Sequence, residues 1–145
     1  MKHTAIVGTV VLTLGAFAAS AHADEGAIEY RQAIFQAIGG HMTALVKIVR
    51  REVAHTDDMA VHANGIADLA PLTTHIFPEG SGEGQTDALP AIWSNPDDFA
   101  RRSDAFIEAA EGLRVAASGP MGPFVSAFQT LGGSCSDCHD SYRAE

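Results

Sequence analysis

The chain has 145 residues, one domain's worth of polypeptide, and with 46% apolar and 19% charged residues it can fill a core, which excludes a low-complexity segment or a disordered polyanion. The balance of 9 Lys and Arg against 18 Asp and Glu leaves a formal charge of −9. Nucleic-acid binding is excluded on the same ground, because it draws on clustered Lys and Arg, and here Arg50-Arg51 and Arg101-Arg102 are isolated pairs.

Residues 1–23 predict an export signal that is removed. Lys2 supplies the basic start, the run from Thr4 through Ser20 is uncharged and rich in Val, Leu and Ala, and Ala21-His22-Ala23 has the A-x-A cleavage pattern. The run approaches spanning length, but Gly8, Gly15 and its threonines fit a cleaved signal better than a membrane anchor. The product expected is a soluble exported protein, residues 24–145, without stable membrane insertion.

Helical periodicity accounts for most of that product. From about Asp24 to Val53, Phe35, Ile38, Met42, Leu45 and Val49 step by three and four residues along one stripe, with Arg31 one turn before Phe35. A second helix is predicted from Asp57 or Asp58 to about Thr74, with Pro71 shortening or kinking it. Phe77 to Asn95 carries Pro78, Gly80, Gly82, Gly84 and Pro90 and reads as a long loop. Asn95-Pro96-Asp97-Asp98 then supplies an N-cap, a first-position proline and two acids for a third helix whose buried face is Phe99, Phe106, Ala110, Leu113 and Ala117. Ser118-Gly119-Pro120 ends it, and a fourth helix from about Pro123 places Phe124, Phe128, Leu131, Cys135, Cys138 and Tyr142 on one side. The fold class predicted is all-α, an antiparallel four-helix bundle.

The chemistry lies near the C-terminus. Cys135-Ser136-Asp137-Cys138-His139 is a C-x-x-C-H sequence built from the only two cysteines of the chain, the attachment signature of a c-type haem. Two thiols three residues apart can add to the two vinyl groups of one haem while the adjacent imidazole reaches the iron. A thiol–disulfide redox site would follow a strand, and none is predicted. A structural zinc site needs four ligands, and this run offers three on a crowded turn; His41, His55, His62 and His75 are scattered, and most are expected at the surface.

Tyr30-Arg31-Gln32 in the first helix, Pro90-x-Ile92-Trp93 at the end of the loop, and Gly132-Gly133-x-Cys135-x-x-Cys138-His139-Asp140-x-Tyr142-Arg143 together resemble the cytochrome c′ family, the class II c-type cytochromes. The resemblance spans essentially the whole exported chain. It implies one covalently bound haem c near the C-terminus of the bundle, with Cys135 and Cys138 as thioether attachments, His139 as axial ligand and Arg143 as the cation beside that imidazole. It also puts Arg31 and Gln32 near the haem propionates and Asp87 at a loop position close to the haem edge, although Leu89 and Ala91 replace polar residues common there. Trp93 and Tyr142 read equally as core aromatics or pocket walls.

By periodicity alone Phe35 is a core aromatic; the resemblance places it over the distal face of the haem, where it has no lone pair to give the iron. That implies a five-coordinate iron able to bind small uncharged diatomics, nitric oxide and carbon monoxide, and to exchange single electrons. The alternative is a six-coordinate, low-spin electron-transfer cytochrome of the c556 type, with Met42 as the rival ligand. An enzymatic role is not expected, since a peroxidatic haem needs a distal acid–base group and Phe35 provides none. The export signal implies a periplasmic location, and the resemblance implies a homodimer, for which Ile34 and Ile48, off the main stripe, are candidate exposed contacts. The acidic chain calls for a redox partner with a basic patch.

Overall fold

The computed structural model describes residues 16–145, with side-chain environments from residue 25 onward. Four long helices form the bundle: α1 (Ala16–Val49), α2 (Met59–Leu69), α4 (Pro96–Ala116) and α5 (Met121–Tyr142), with a one-turn helix α3 (Ala91–Ser94) in the connection between α2 and α4. Short 3-10 turns lie at Thr56–Asp58 and Ala70–Thr74. The only β pairing among the described residues is an isolated bridge between Ala88 and Arg143. The expected signal segment falls largely outside the described residues, and α1 runs as one helix across the expected cleavage point.

Leu45, Ile66, Leu113, Phe124 and Leu131 are fully buried at the bundle centre, one or more from each long helix. Helix α1 needs two apolar faces because it has two neighbours to cover. Phe35, Ile38 and Met42 face the site described below, whereas Leu45 and Ile48 lie against the core shared with α2. This corrects the expectation that Ile34 and Ile48 are exposed: Ile48 is only 3% accessible and Ile34 is half-buried against the core. Among the described residues, the large apolar side chains left in solvent are instead Tyr30, Val53, Val61 and Val115.

Helix ends follow local chemistry with some departures. Helix α1 stops at Val49, where Glu52 N–H donates to Lys47 O (2.9 Å) and Arg51 adopts φ 58°, the left-handed close of a Schellman motif at a position glycine usually fills. Pro71 does not kink α2. It sits in the first turn of the 3-10 segment, where its missing N–H costs nothing, so the α-helix ends at Leu69 and not near Thr74. Asn95 is the N-cap of α4 as expected, with Pro96 in the first turn, but its side chain makes no cap bond. Helix α5 begins at Met121, two residues earlier than the sequence suggests, because Pro123 is tolerated within a first turn.

The segment between α2 and α4 is ordered by its contacts. Gly80 (φ 86°) and Gly84 (φ 102°) take left-handed conformations that turn the chain back across the end of the bundle. Leu89 N–H donates to Tyr142 O (3.0 Å) and Ala144 N–H to Asp87 O (2.8 Å), so this strap is stitched to the residues just beyond the cysteine motif.

Candidate haem site

Helix α5 carries Cys135, Cys138 and His139 within little more than one turn, all half-buried and all in the wall of one cavity of about 720 Å³. Pockets for organic ligands run from about 300 to 1,000 Å³, and this one is in the upper part of that range. Helix α1 contributes Arg31, Gln32, Phe35, Ile38 and Met42; the strap contributes Phe77, Thr86, Asp87 and Ala88; α4 contributes Phe99, Arg102, Ser103 and Phe106. Arg143 completes the wall beside His139. Every site residue singled out from the sequence therefore lines the same space.

Both thiols are pushed above their ordinary pKa by burial, so neither is poised as a thiolate nucleophile. Burial lowers the His139 pKa, and the positive charge of Arg143 lowers it further. A neutral imidazole keeps a lone pair for a metal.

Arg31 is 3% accessible, and burial depresses its pKa. Its donors go to neutral acceptors on the strap: Nη1 to Ser81 Oγ (2.9 Å) and Ile76 O (3.3 Å), Nη2 to Ser81 O (3.0 Å) and Thr86 Oγ1 (2.9 Å). Its guanidinium also lies 4.6 Å from the centre of the Phe77 ring. No carboxylate among the described residues pairs with it, so a buried cation facing the cavity has hydrogen bonds but no counter-charge. An anionic group on a ligand in the cavity would supply one. Gln32 Nε2 donates to Gln85 O (2.7 Å), so the Arg31-Gln32 pair also fastens the strap, a role the sequence did not reveal.

Phe77 is the residue sequence reasoning missed. Its ring meets Phe35 at 6.1 Å, Trp93 at 6.4 Å and Phe99 at 5.0 Å between centroids, and Phe99 meets Tyr142 at 5.2 Å. It lies at the start of the strap, outside any periodic segment, so no pattern marks it. The open reading of the two other aromatics is resolved by position. Tyr142 lines the cavity; Trp93 does not, and instead donates its indole N–H to Phe77 O and Pro78 O (both 3.2 Å) while packing over Gly82, where a Cβ would come within 2.8 Å of the ring.

Arg102 was also missed, and an Asp98–Arg102 spacing of four residues is the only clue to it. Asp98 accepts from the Tyr142 hydroxyl (2.6 Å), Arg101 (2.5 Å) and Arg102 Nε (2.8 Å), which ties the start of α4 to the end of α5. These donors, the Tyr142 hydroxyl first, hold the Asp98 carboxyl well below the usual carboxylate range. A carboxylate with a depressed folded pKa adds stability above its unfolded value, about 3.9, and that contribution is lost as pH falls toward the folded value. Denaturant midpoints should therefore drop below about pH 4, and Tyr142→Phe should flatten that acid limb while lowering the midpoint at neutral pH. An unchanged pH profile in Tyr142→Phe would show that the hydroxyl does not hold Asp98.

A four-helix bundle with a C-x-x-C-H turn in the wall of a ligand-sized pocket defines a c-type haem protein. The sequence profile of the cytochrome c′ family matches residues 26–143. A cytochrome c′ from Pararhodospirillum photometricum is 35% identical over 82% of this chain and 97% of its own. A cytochrome c-556 from Agrobacterium tumefaciens is 38% identical over 81% and 97%. The nitric oxide complex of a variant cytochrome c prime from Alcaligenes xylosoxidans superposes with a TM-score of 0.77 at 28% identity, covering 84% of this chain and 96% of that one. The chain belongs to the cytochrome c′ family, whose cofactor is a covalently attached haem c.

Proposed function

We propose that this is a periplasmic, exported haem protein that binds small uncharged diatomics and passes single electrons without turning over a substrate. In this reading Cys135 and Cys138 would form the thioether links and His139 would ligate the iron, while Phe35, which has no donor atom, would leave it no second protein ligand. The haem would supply a redox-active iron able to take up a gas. The observation that carries the reading is that Cys135, Cys138 and His139 share one cavity with Phe35, a side chain without a donor atom.

The remaining residues divide the other tasks. Arg31 and Gln32 offer a buried cation and an amide for the propionates, and Arg31 is the group whose charge most needs an anion. Burial and the Arg143 cation beside it both lower the His139 pKa, which favours a neutral imidazole, and Asp87 lines the cavity on the strap. Phe35, Ile38, Met42, Phe77 and Phe106 give the interior an apolar lining that disfavours water and anions but admits nitric oxide or carbon monoxide. The nitric oxide complex of the Alcaligenes relative supports gas binding. No helix among the described residues is long and apolar enough to cross a membrane. The acidic surface suits a redox partner with a basic patch, and a homodimer remains part of the proposal.

A second reading rests on Met42, which lines the same cavity, and on the likeness to a cytochrome c-556. Under it Met42 supplies a sixth ligand and gas binding is incidental. Absorption and electron paramagnetic resonance spectra of the ferric protein separate the two. High-spin or mixed-spin iron is the expected result. A low-spin spectrum with a methionine-to-iron charge-transfer band would overturn it in favour of Met42.

A further inference from the structure

Outside the haem site, two histidines the sequence left unassigned meet across the α1–α2 seam. His41 and His62 are half-buried, whereas His55 and His75 are exposed. Their Nδ1 atoms lie 3.0 Å apart, with the ring planes inclined at 59° and centroids separated by 5.3 Å. The His41 ring lies against the backbone of α2 at Gly65, where a Cβ would come within 2.4 Å of Nε2, so only glycine leaves room for it. That packing holds one ring in place and turns its Nδ1 toward the other.

We propose that His41 and His62 form a second metal site, separate from the haem: a two-imidazole chelate for a late divalent transition-metal ion, Cu(II) above Ni(II) and Zn(II). Imidazole nitrogens bind such ions at about 2.0–2.1 Å. Imidazole suits Cu(II), Ni(II) and Zn(II) alike, and the affinity order of such sites places Cu(II) above the other two.

With the centroids 5.3 Å apart the two nitrogens point nearly at one another, as in an imidazole–imidazole hydrogen bond. Metal uptake therefore needs the His62 ring to turn and draw back until both lone pairs converge on one point, and the donor ring to carry its proton on Nε2. The terminal torsion of histidine is broad, so the turn is soft, and the half-exposed His62 has room to make most of it. Among the described residues no third His, Cys, Asp or Glu joins the pair, so water completes the coordination and the ion remains exchangeable. Chelation from two helices would staple α1 to α2 one residue from Met42, in the wall of the haem cavity.

The test is titration of the haem-loaded protein with Cu(II), followed by calorimetry, thermal melting and copper electron paramagnetic resonance. One ion per chain is expected, with two nitrogen donors in the copper hyperfine pattern and a melting temperature that rises with copper concentration. His41→Gln and His62→Gln retain a hydrogen-bonding side chain of similar volume. Each should melt near the wild-type temperature without copper yet bind it at least about tenfold more weakly and lose the thermal shift. A His55→Ala, His75→Ala double variant should behave as wild type. Copper binding of unchanged affinity in the His41→Gln, His62→Gln double variant, a single nitrogen donor, or no binding by the wild type would each overturn the proposal.

Discussion

Replacing both Cys135 and Cys138 with alanine should yield a chain that carries no covalent haem by mass and does not hold the native tertiary structure. Without the haem, the apolar walls between Phe35, Phe77 and Phe106 border a solvent-accessible cleft of about 720 Å³, where water finds few hydrogen-bond partners and the burial of these side chains is lost. Arg31 adds to the penalty as a buried cation with no anion.

The double variant should therefore keep much of its far-ultraviolet helical signal, because α4 and α5 still bury Leu113, Phe124 and Leu131, while losing near-ultraviolet dichroism and binding a hydrophobic dye. A haem-free chain with native near-ultraviolet dichroism and a cooperative melt would show that the pocket stands without its cofactor. The single variants are expected to lie between, each retaining haem through one thioether.

The parts of this protein visible in the sequence are those carried by spacing along one helix. Phe35, Ile38 and Met42 repeat at helical intervals, and Cys135, Cys138 and His139 belong to a single turn, so periodicity and motif reach them directly. What escaped depends on the register between elements. The carbonyls and hydroxyls that hold Arg31 come from residues 45 to 55 positions away in a segment with no period, and the Phe77 cluster draws one ring from each of several elements. Ile48 reads as off-stripe only if α1 has one neighbour; α2 folding back over it gives the helix a second apolar face. His41 and His62 are 21 residues apart on different helices, and nothing in either local pattern announces their contact. The family resemblance set the helix-one register that periodicity alone leaves open, and with it the position of Phe35 in the cavity wall.

That register gives the sharpest functional expectation, Phe35→Met. The side chain is half-buried, lines the cavity and leans on Phe77, so a flexible thioether of similar volume should be accommodated for less than about 1.5 kcal/mol of stability. Methionine sulfur is a natural axial ligand for haem iron, so the variant should convert from high-spin or mixed-spin to low-spin and show a methionine-to-iron charge-transfer band. An incoming gas must then displace the sulfur, and carbon monoxide affinity of the ferrous form should fall at least about tenfold, equivalent to about 1.4 kcal/mol. Phe35→Ala should act in the opposite sense, speeding carbon monoxide association by removing the ring from its path. Met42→Leu is the control, because it removes the other sulfur in the cavity wall and should leave the wild-type spin state unchanged. If Phe35→Met leaves the spin state unaltered while Met42→Leu shifts it, the iron is served from one turn or more further along α1, and the electron-transfer reading replaces the gas-binding one.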